Sequence, residues 1–235
     1  MSLIVVFCTF LHIMVKLRKS DSLIRDNLFL FLALLIEGGA LMAVELIGAK
    51  LIAPYYGNSL YVWSAVLAIT LGGLTIGYYS GGVISSKYPS VKTLLIIITI
   101  SALLVLALPF TSSAIMKATL GLELRTGIII SCLVFLLPPM AAFGMVGPLV
   151  VRLVTTVVEK AGQAAGTVYF TSTFGGIAAT FLFGFYLIPF WGLKMSSCIA
   201  GSALALLPVL FFVFSKSGKN VTVQEDGSTE RKKQT

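Results

Sequence analysis

Glu37 and Glu45 interrupt the apolar run that begins at Leu28, and Lys50 follows five residues after Glu45. On a helix, the eight residues between the glutamates amount to about 12 Å of rise and about 80° of azimuth, so both can line one cavity. A charge at mid-bilayer costs ~2.5–3.5 kcal/mol on insertion scales, so such carboxylates normally face a bundle interior or a water-filled space. The chemistry this opens is the binding of a cation or a proton. A structural hydrogen bond to a neighbouring helix is the other role open to Glu45. Lys50 lies at an awkward spacing for a direct pair with Glu45, because helix neighbours are three or four residues apart. It can instead snorkel to the outer headgroups.

The elements that position these charges follow from composition. The chain has 235 residues, of which 57% are hydrophobic and 11% charged, whereas soluble domains are nearer 25% charged. Six apolar stretches approach or exceed the ~20 helical residues needed to cross a hydrocarbon core: 28–53, 61–84, 93–113, 127–150, 165–190 and 195–214. Lipid cannot satisfy free backbone groups, and β-barrel strands would alternate apolar and polar residues, so these are helices. The expected fold is all-α, a polytopic membrane bundle of six transmembrane helices occupying 28–214 as one domain.

Lysine and arginine in the short loops set the orientation. With the N-terminus inside, thirteen cations fall on the cytoplasmic side against three outside (Lys117, Arg125 and Lys194), with Lys50 at a helix end. Both termini are therefore expected in the cytoplasm, with the chain in the cell membrane. The bias also accounts for the net charge of +8 without nucleic acid.

The two ends read differently from the middle. Residues 1–27 include a largely apolar stretch of thirteen residues at 3–15, too short to span comfortably and followed by cations where a signal peptide would have them first. An interfacial helix, a tilted extra span and an over-long start all fit that stretch. Its histidine, His12, is the only one in the chain and has no partner motif. Residues 215–235 are polar, lack an apolar period and read as a disordered basic cytoplasmic tail. Cys8, Cys132 and Cys198 are far apart, without a CxxC, so packed thiols are expected rather than a metal site. No cofactor motif is present.

Small residues supply a packing signature. Gly73, Gly77 and Gly81 recur every four residues on the second span, and Ser172, Gly176, Thr180 and Gly184 do so on the fifth. Such stripes let a second backbone approach closely in lipid. Plain bundle packing and a smooth surface for alternating access need the same faces. An aromatic belt of Tyr55, Tyr56, Tyr61 and Trp63 marks the outer interface.

The stretch ELIGAKLIAPYYGNSLYVW (45–63), followed by LAITLGGLTIGYYSGG (67–82), resembles the first two membrane helices of the fused major-facilitator (MFS)/spermidine-synthase-like proteins. Those read E-x4-R-x2-AP-Y/F-G-x-S-x-YVW and then G-x-x-x-G-Y-x-x-GG. PPMAAFGMVGPLVVRL (138–153) is similar to the family's fourth helix, and GTVYFTSTFGGIAATFLFGFYLIPFWG (166–192) to its fifth. The likeness covers roughly residues 27–214. It implies half of a major-facilitator-type transporter, with Glu37, Glu45, Lys50, Tyr55 and Tyr169 as candidate substrate-binding residues.

The chain departs from the family's pattern in several places. Lys50 stands where the family has arginine, which keeps the charge and loses the bidentate fork. Val83 and Ser86 stand where G-G-R-x-x-D-R places its first arginine and its aspartate, so the gate ion pair implied by that loop lacks both partners. The soluble aminopropyltransferase-like domain has no counterpart, because GGLTIG lies inside a span and no strand–turn–helix unit surrounds it. No enzymatic activity is expected of this chain. The leading functional expectation is a transporter-like protein handling polyamines or related cationic metabolites. The alternative is a non-transporting anchor for a separately encoded spermidine-synthase-like enzyme, a soluble aminopropyltransferase-like partner. Because transporters of this type join two six-helix halves, a homodimer or a pairing with another six-helix chain is expected, with the small-residue stripes as candidate contacts.

Overall fold

The computed structural model describes residues 28–155 and 161–217. The proposed interfacial segment, with His12 and Cys8, lies outside them, as does the tail from residue 218. Among the described residues the chain is helical throughout and forms a bundle expected of a multi-pass membrane protein. Its elements are α1 (Leu28–Tyr56), α2 (Leu60–Lys87), α3 (Val91–Thr119), α4 (Leu124–Phe135), α5 (Leu137–Val154), α6 (Ala161–Leu182), a π-helical turn (Phe183–Leu187) and α7 (Ile188–Ser217). Apart from the short α4, they are long and apolar enough to span, α6 through α7 forming one long apolar stretch.

Three boundaries differ from the sequence expectation. The first span does not stop at Ala53: α1 continues through Pro54 to Tyr56. The stop is Gly57, whose φ of 77° is left-handed and whose N–H reaches the Ala53 carbonyl at 2.9 Å. Glycine ends this helix, and proline does not. The expected single span at 127–150 divides into two helices at Leu136, because Pro138 and Pro139 lack the N–H groups that would continue the ladder. The Leu136 backbone itself stays right-handed helical (φ −99°, ψ −37°). At the other end α7 carries its helix to Ser217, so the first residues assigned to the tail are helical. Within the last stretch, Gly192 (φ 76°, ψ 173°) makes the turn between the fifth and sixth spans.

Two pairs of helices run side by side in the same direction. Along α2 and α5, a Cβ added at Gly73 would meet Met140, one at Gly77 would meet the Ala141 carbonyl and Gly144, and one at Gly81 would meet Met145. Along α1 and α6, Gly38 abuts Ser172 and Gly175 abuts the Leu35 carbonyl. The helix α7 runs back along α3, where the Ser197 hydroxyl donates to the Val105 carbonyl at 2.8 Å. The core between them is apolar, with Leu34, Ile47, Ile98, Leu136 and Phe143 all essentially inaccessible. Many hydroxyls inside the spans are satisfied locally: Thr75, Ser101 and Thr171, for example, each donate to a carbonyl one turn back. The buried Thr70 hydroxyl of α2, by contrast, has no hydrogen-bond partner among the described residues.

The PYYG motif is explained by a hydroxyl chain at one end of the bundle. The Tyr55 hydroxyl pairs with Ser113 of α3 at 3.0 Å. Tyr56 is buried and donates to Thr119 at 2.7 Å, and Thr119 pairs with Ser131 of α4 at 2.7 Å. Trp63 donates from its indole to Asn58 at 3.0 Å, which closes the turn between α1 and α2.

Candidate functional site

The site is built around Glu37. Its position on α1 is fixed by the next residue, Gly38, whose missing side chain lets α6 come against the backbone at Ser172. Gly175 does the same from the α6 side against Leu35. With backbones this close, the carboxylate between them is only 4% exposed. The Ser172 hydroxyl donates to its Oε2 at 3.3 Å. Among the described residues no cationic side chain lies within ion-pair distance.

Two phenols complete the cluster. Tyr78 of α2 lies within electrostatic reach of both Glu37 and Tyr169 of α6. Tyr169 in turn rests its ring edge 3.5 Å from where a Cβ on Gly147 of α5 would be. Tyr78 and Tyr169 are 44% and 46% exposed, so both phenols also face outward. Four helices thus contribute: α1 the carboxylate, α6 a hydroxyl and a phenol, α2 the second phenol and α5 the glycine that admits Tyr169. The arrangement offers one acidic group, three hydroxyls and two aromatic faces, a set suited to a cation or a shared proton.

The other candidate residues are placed elsewhere. Glu45 is half-buried on α1 and has no side-chain hydrogen bond or ion pair among the described residues. Lys50 is exposed near the end of that helix and pairs with neither glutamate. Tyr55 is held by Ser113 in the hydroxyl chain, a role in packing rather than at the Glu37 cluster. Of the five candidates, Glu37 and Tyr169 both lie within electrostatic reach of Tyr78, and the other three do not join them.

The packing residues divide similarly. Gly73, Gly77 and Gly81 are all close contacts with α5, and a Cβ added at Gly176 would meet Met42 at 2.8 Å and the Gly38 carbonyl at 3.3 Å. Gly184 is not a close contact: a Cβ there would meet Leu46 at an ordinary 3.9 Å. These seams lie within the chain, so the glycines along them serve the packing of the bundle itself. Sequence reading missed Tyr78, Gly38, Gly144 and Gly175. Gly38 and Gly175 were visible as the Gly38–Gly39 and Gly175–Gly176 pairs, whereas the facing of Tyr78 depends on how Gly77 seats α2. Cys132 is buried and Cys198 half-buried, both as free thiols. Among the described residues no three His, Cys, Asp or Glu side chains are grouped to hold a metal.

No family model, no curated protein and no solved structure matches this chain.

Proposed function

We propose that the chain is a transporter-like membrane subunit in which Glu37 binds a cation or a proton inside the membrane. One observation supports this reading above others: a carboxylate 4% exposed within a span, whose recorded partner is a single serine hydroxyl. An ionised group there carries the insertion penalty of ~2.5–3.5 kcal/mol unless something balances it. An ammonium group or a proton does so, and the flanking phenols add ring faces that attract cations. The motif resemblance suggests polyamines or related cationic metabolites as the substrate class, with Glu45 available as a second anionic point further along α1. The outward exposure of Tyr78 and Tyr169 leaves the cluster open on one side, where a second six-helix unit, from another copy or another chain, would cover it. The lysine and arginine bias supports a cell-membrane protein with both termini in the cytoplasm.

A specific observation favours a second reading. The backbone contacts at Gly38 and Gly175 close tightly on either side of Glu37, which suits a rigid anchor for a separately encoded spermidine-synthase-like enzyme. On either reading this chain is not itself an enzyme. Uptake of labelled polyamine by vesicles containing the purified protein separates the two. Uptake that is abolished by Glu37→Gln supports transport. Absence of uptake, with Glu37→Gln lowering thermal stability, supports the anchor.

A further inference from the structure

A cleft of about 370 Å³ opens between α2 and α4 on the outside of the bundle, lined by Tyr61, Ser64, Ala68, Ile69, Arg125 and Ile129 among others. It shares no residue with the Glu37 cluster. Its cation is at one end: the Arg125 guanidinium lies over the Tyr61 ring, 5.1 Å from the centroid. Both side chains are exposed, and Arg125 has no ion pair among the described residues. Because α2 starts at Leu60 and α4 at Leu124, these two residues lie at the ends of apolar helices, where lipid headgroups would meet them. From there the floor descends along α2 to Ile69, about 12 Å at 1.5 Å per residue. Small side chains at Ala65 and Ala68 keep it hollow, and Gly72, one turn deeper, has open space around it.

We propose that this cleft binds an anionic phospholipid, with the phosphate on Arg125 and one acyl chain laid along the floor toward Ile69 and Ile129. The volume corresponds to roughly a dozen waters at about 30 Å³ each. That accommodates a length of acyl chain but not a partner helix, which is about 10–12 Å across. The guanidinium suits the headgroup because its fork of N–H donors matches phosphate oxygens. The Tyr61 ring takes one face of the guanidinium and leaves those N–H edges free. The site depends neither on which side of the membrane α4 starts from nor on what Glu37 binds.

The test uses the full-length protein in mild detergent, titrated with phosphatidylglycerol or phosphatidylcholine of identical chains, with bound lipids counted by native mass spectrometry. The wild type should bind phosphatidylglycerol about fivefold more tightly than phosphatidylcholine, as one surface cation is worth about that factor. Arg125→Gln should remove the preference, and Arg125→Lys should keep most of it. Ala68→Phe, which fills the floor, should weaken both lipids together and leave the preference intact. Glycerol phosphate, a headgroup without chains, should not compete at matched concentration. Equal binding of the two lipids by the wild type would overturn the proposal, as would a preference that survives Arg125→Gln. It fails equally if Ala68→Phe reduces a dimer population while lipid binding is unchanged, because a second copy would then be the occupant.

Discussion

The bundle contains two glycine-lined seams with different contents. Along α2 and α5, Gly73, Gly77, Gly81 and Gly144 bring two backbones into direct contact. Along α1 and α6, Gly38, Gly39, Gly175 and Gly176 achieve the same approach, but the seam carries Glu37 and Ser172 at its centre. In lipid there is no hydrophobic drive to pair helices, so close packing must supply the association. One seam is sufficient as an adhesive. The other spends part of its packing on enclosing a carboxylate, which is costly and adds nothing to adhesion. The comparison teaches that small residues mark where helices meet, whereas the polar group caught in the seam marks where chemistry can occur.

The largest expected effect breaks the adhesive seam. Gly77→Leu would drive a side chain into the Ala141 carbonyl and Gly144, and overpacking against backbone should cost at least about 3 kcal/mol. The yield of monodisperse protein should collapse. Gly72→Leu and Gly82→Leu, on the same helix but with open space around them, should stay within about 0.5 kcal/mol. If all three behave alike, the α2–α5 seam is not what holds these helices.

Glu37→Gln tests the other seam from the functional side. The amide keeps the size and can still accept from Ser172, so folding should be unchanged or improved by loss of the buried charge. Cation binding should fall roughly ten- to hundredfold, since a charge-assisted contact is worth about 1.5–3 kcal/mol. Calorimetric titration and a melting curve on the same preparation check both halves.

A smaller effect sharpens the comparison. Ser172→Ala removes the hydroxyl that donates to Glu37 and should destabilise by about 1–3 kcal/mol, because the carboxylate then loses its recorded donor. The same change in a Glu37→Gln background should cost less, and a double-mutant cycle of melting temperatures reads the coupling directly. Additive effects would mean the two side chains do not act as a pair. The smallest effect is at Gly184, where a Cβ meets Leu46 at 3.9 Å; Gly184→Ala should stay within about 0.5 kcal/mol of wild type in thermal unfolding.

Much of this was readable from residue types and spacing. Runs of apolar residues located the spans, the four-residue glycine repeat on the second span identified its contact face, and a glutamate in such a run announced a buried acid. What escaped depends on tertiary placement. The pairing of Tyr55 with Ser113 was not readable, because the reach of its hydroxyl is set by how α3 lies against α1. Gly184 kept the repeat's spacing but not its contact, since the π-helical turn at Phe183–Leu187 alters the helical phase where the repeat ends. Tyr78 was invisible because its facing follows from the Gly77 backbone approach. The prolines misled in both directions: Pro54 was expected to end a helix and did not, whereas Pro138 and Pro139 were read through and did break one.

That break has a mechanical consequence. The 12 residues of α4 extend about 18 Å, a little over half the hydrocarbon thickness of about 30 Å, so α4 does not reach across on its own. The two segments that the break separates are fastened to different neighbours. Ser131 ties α4 to the ends of α1 and α3 through Thr119 and Tyr56, while Gly144 clamps α5 to α2. The two segments are therefore held by different means, α4 by hydroxyl bonds at one end of the bundle and α5 by close backbone contact with α2.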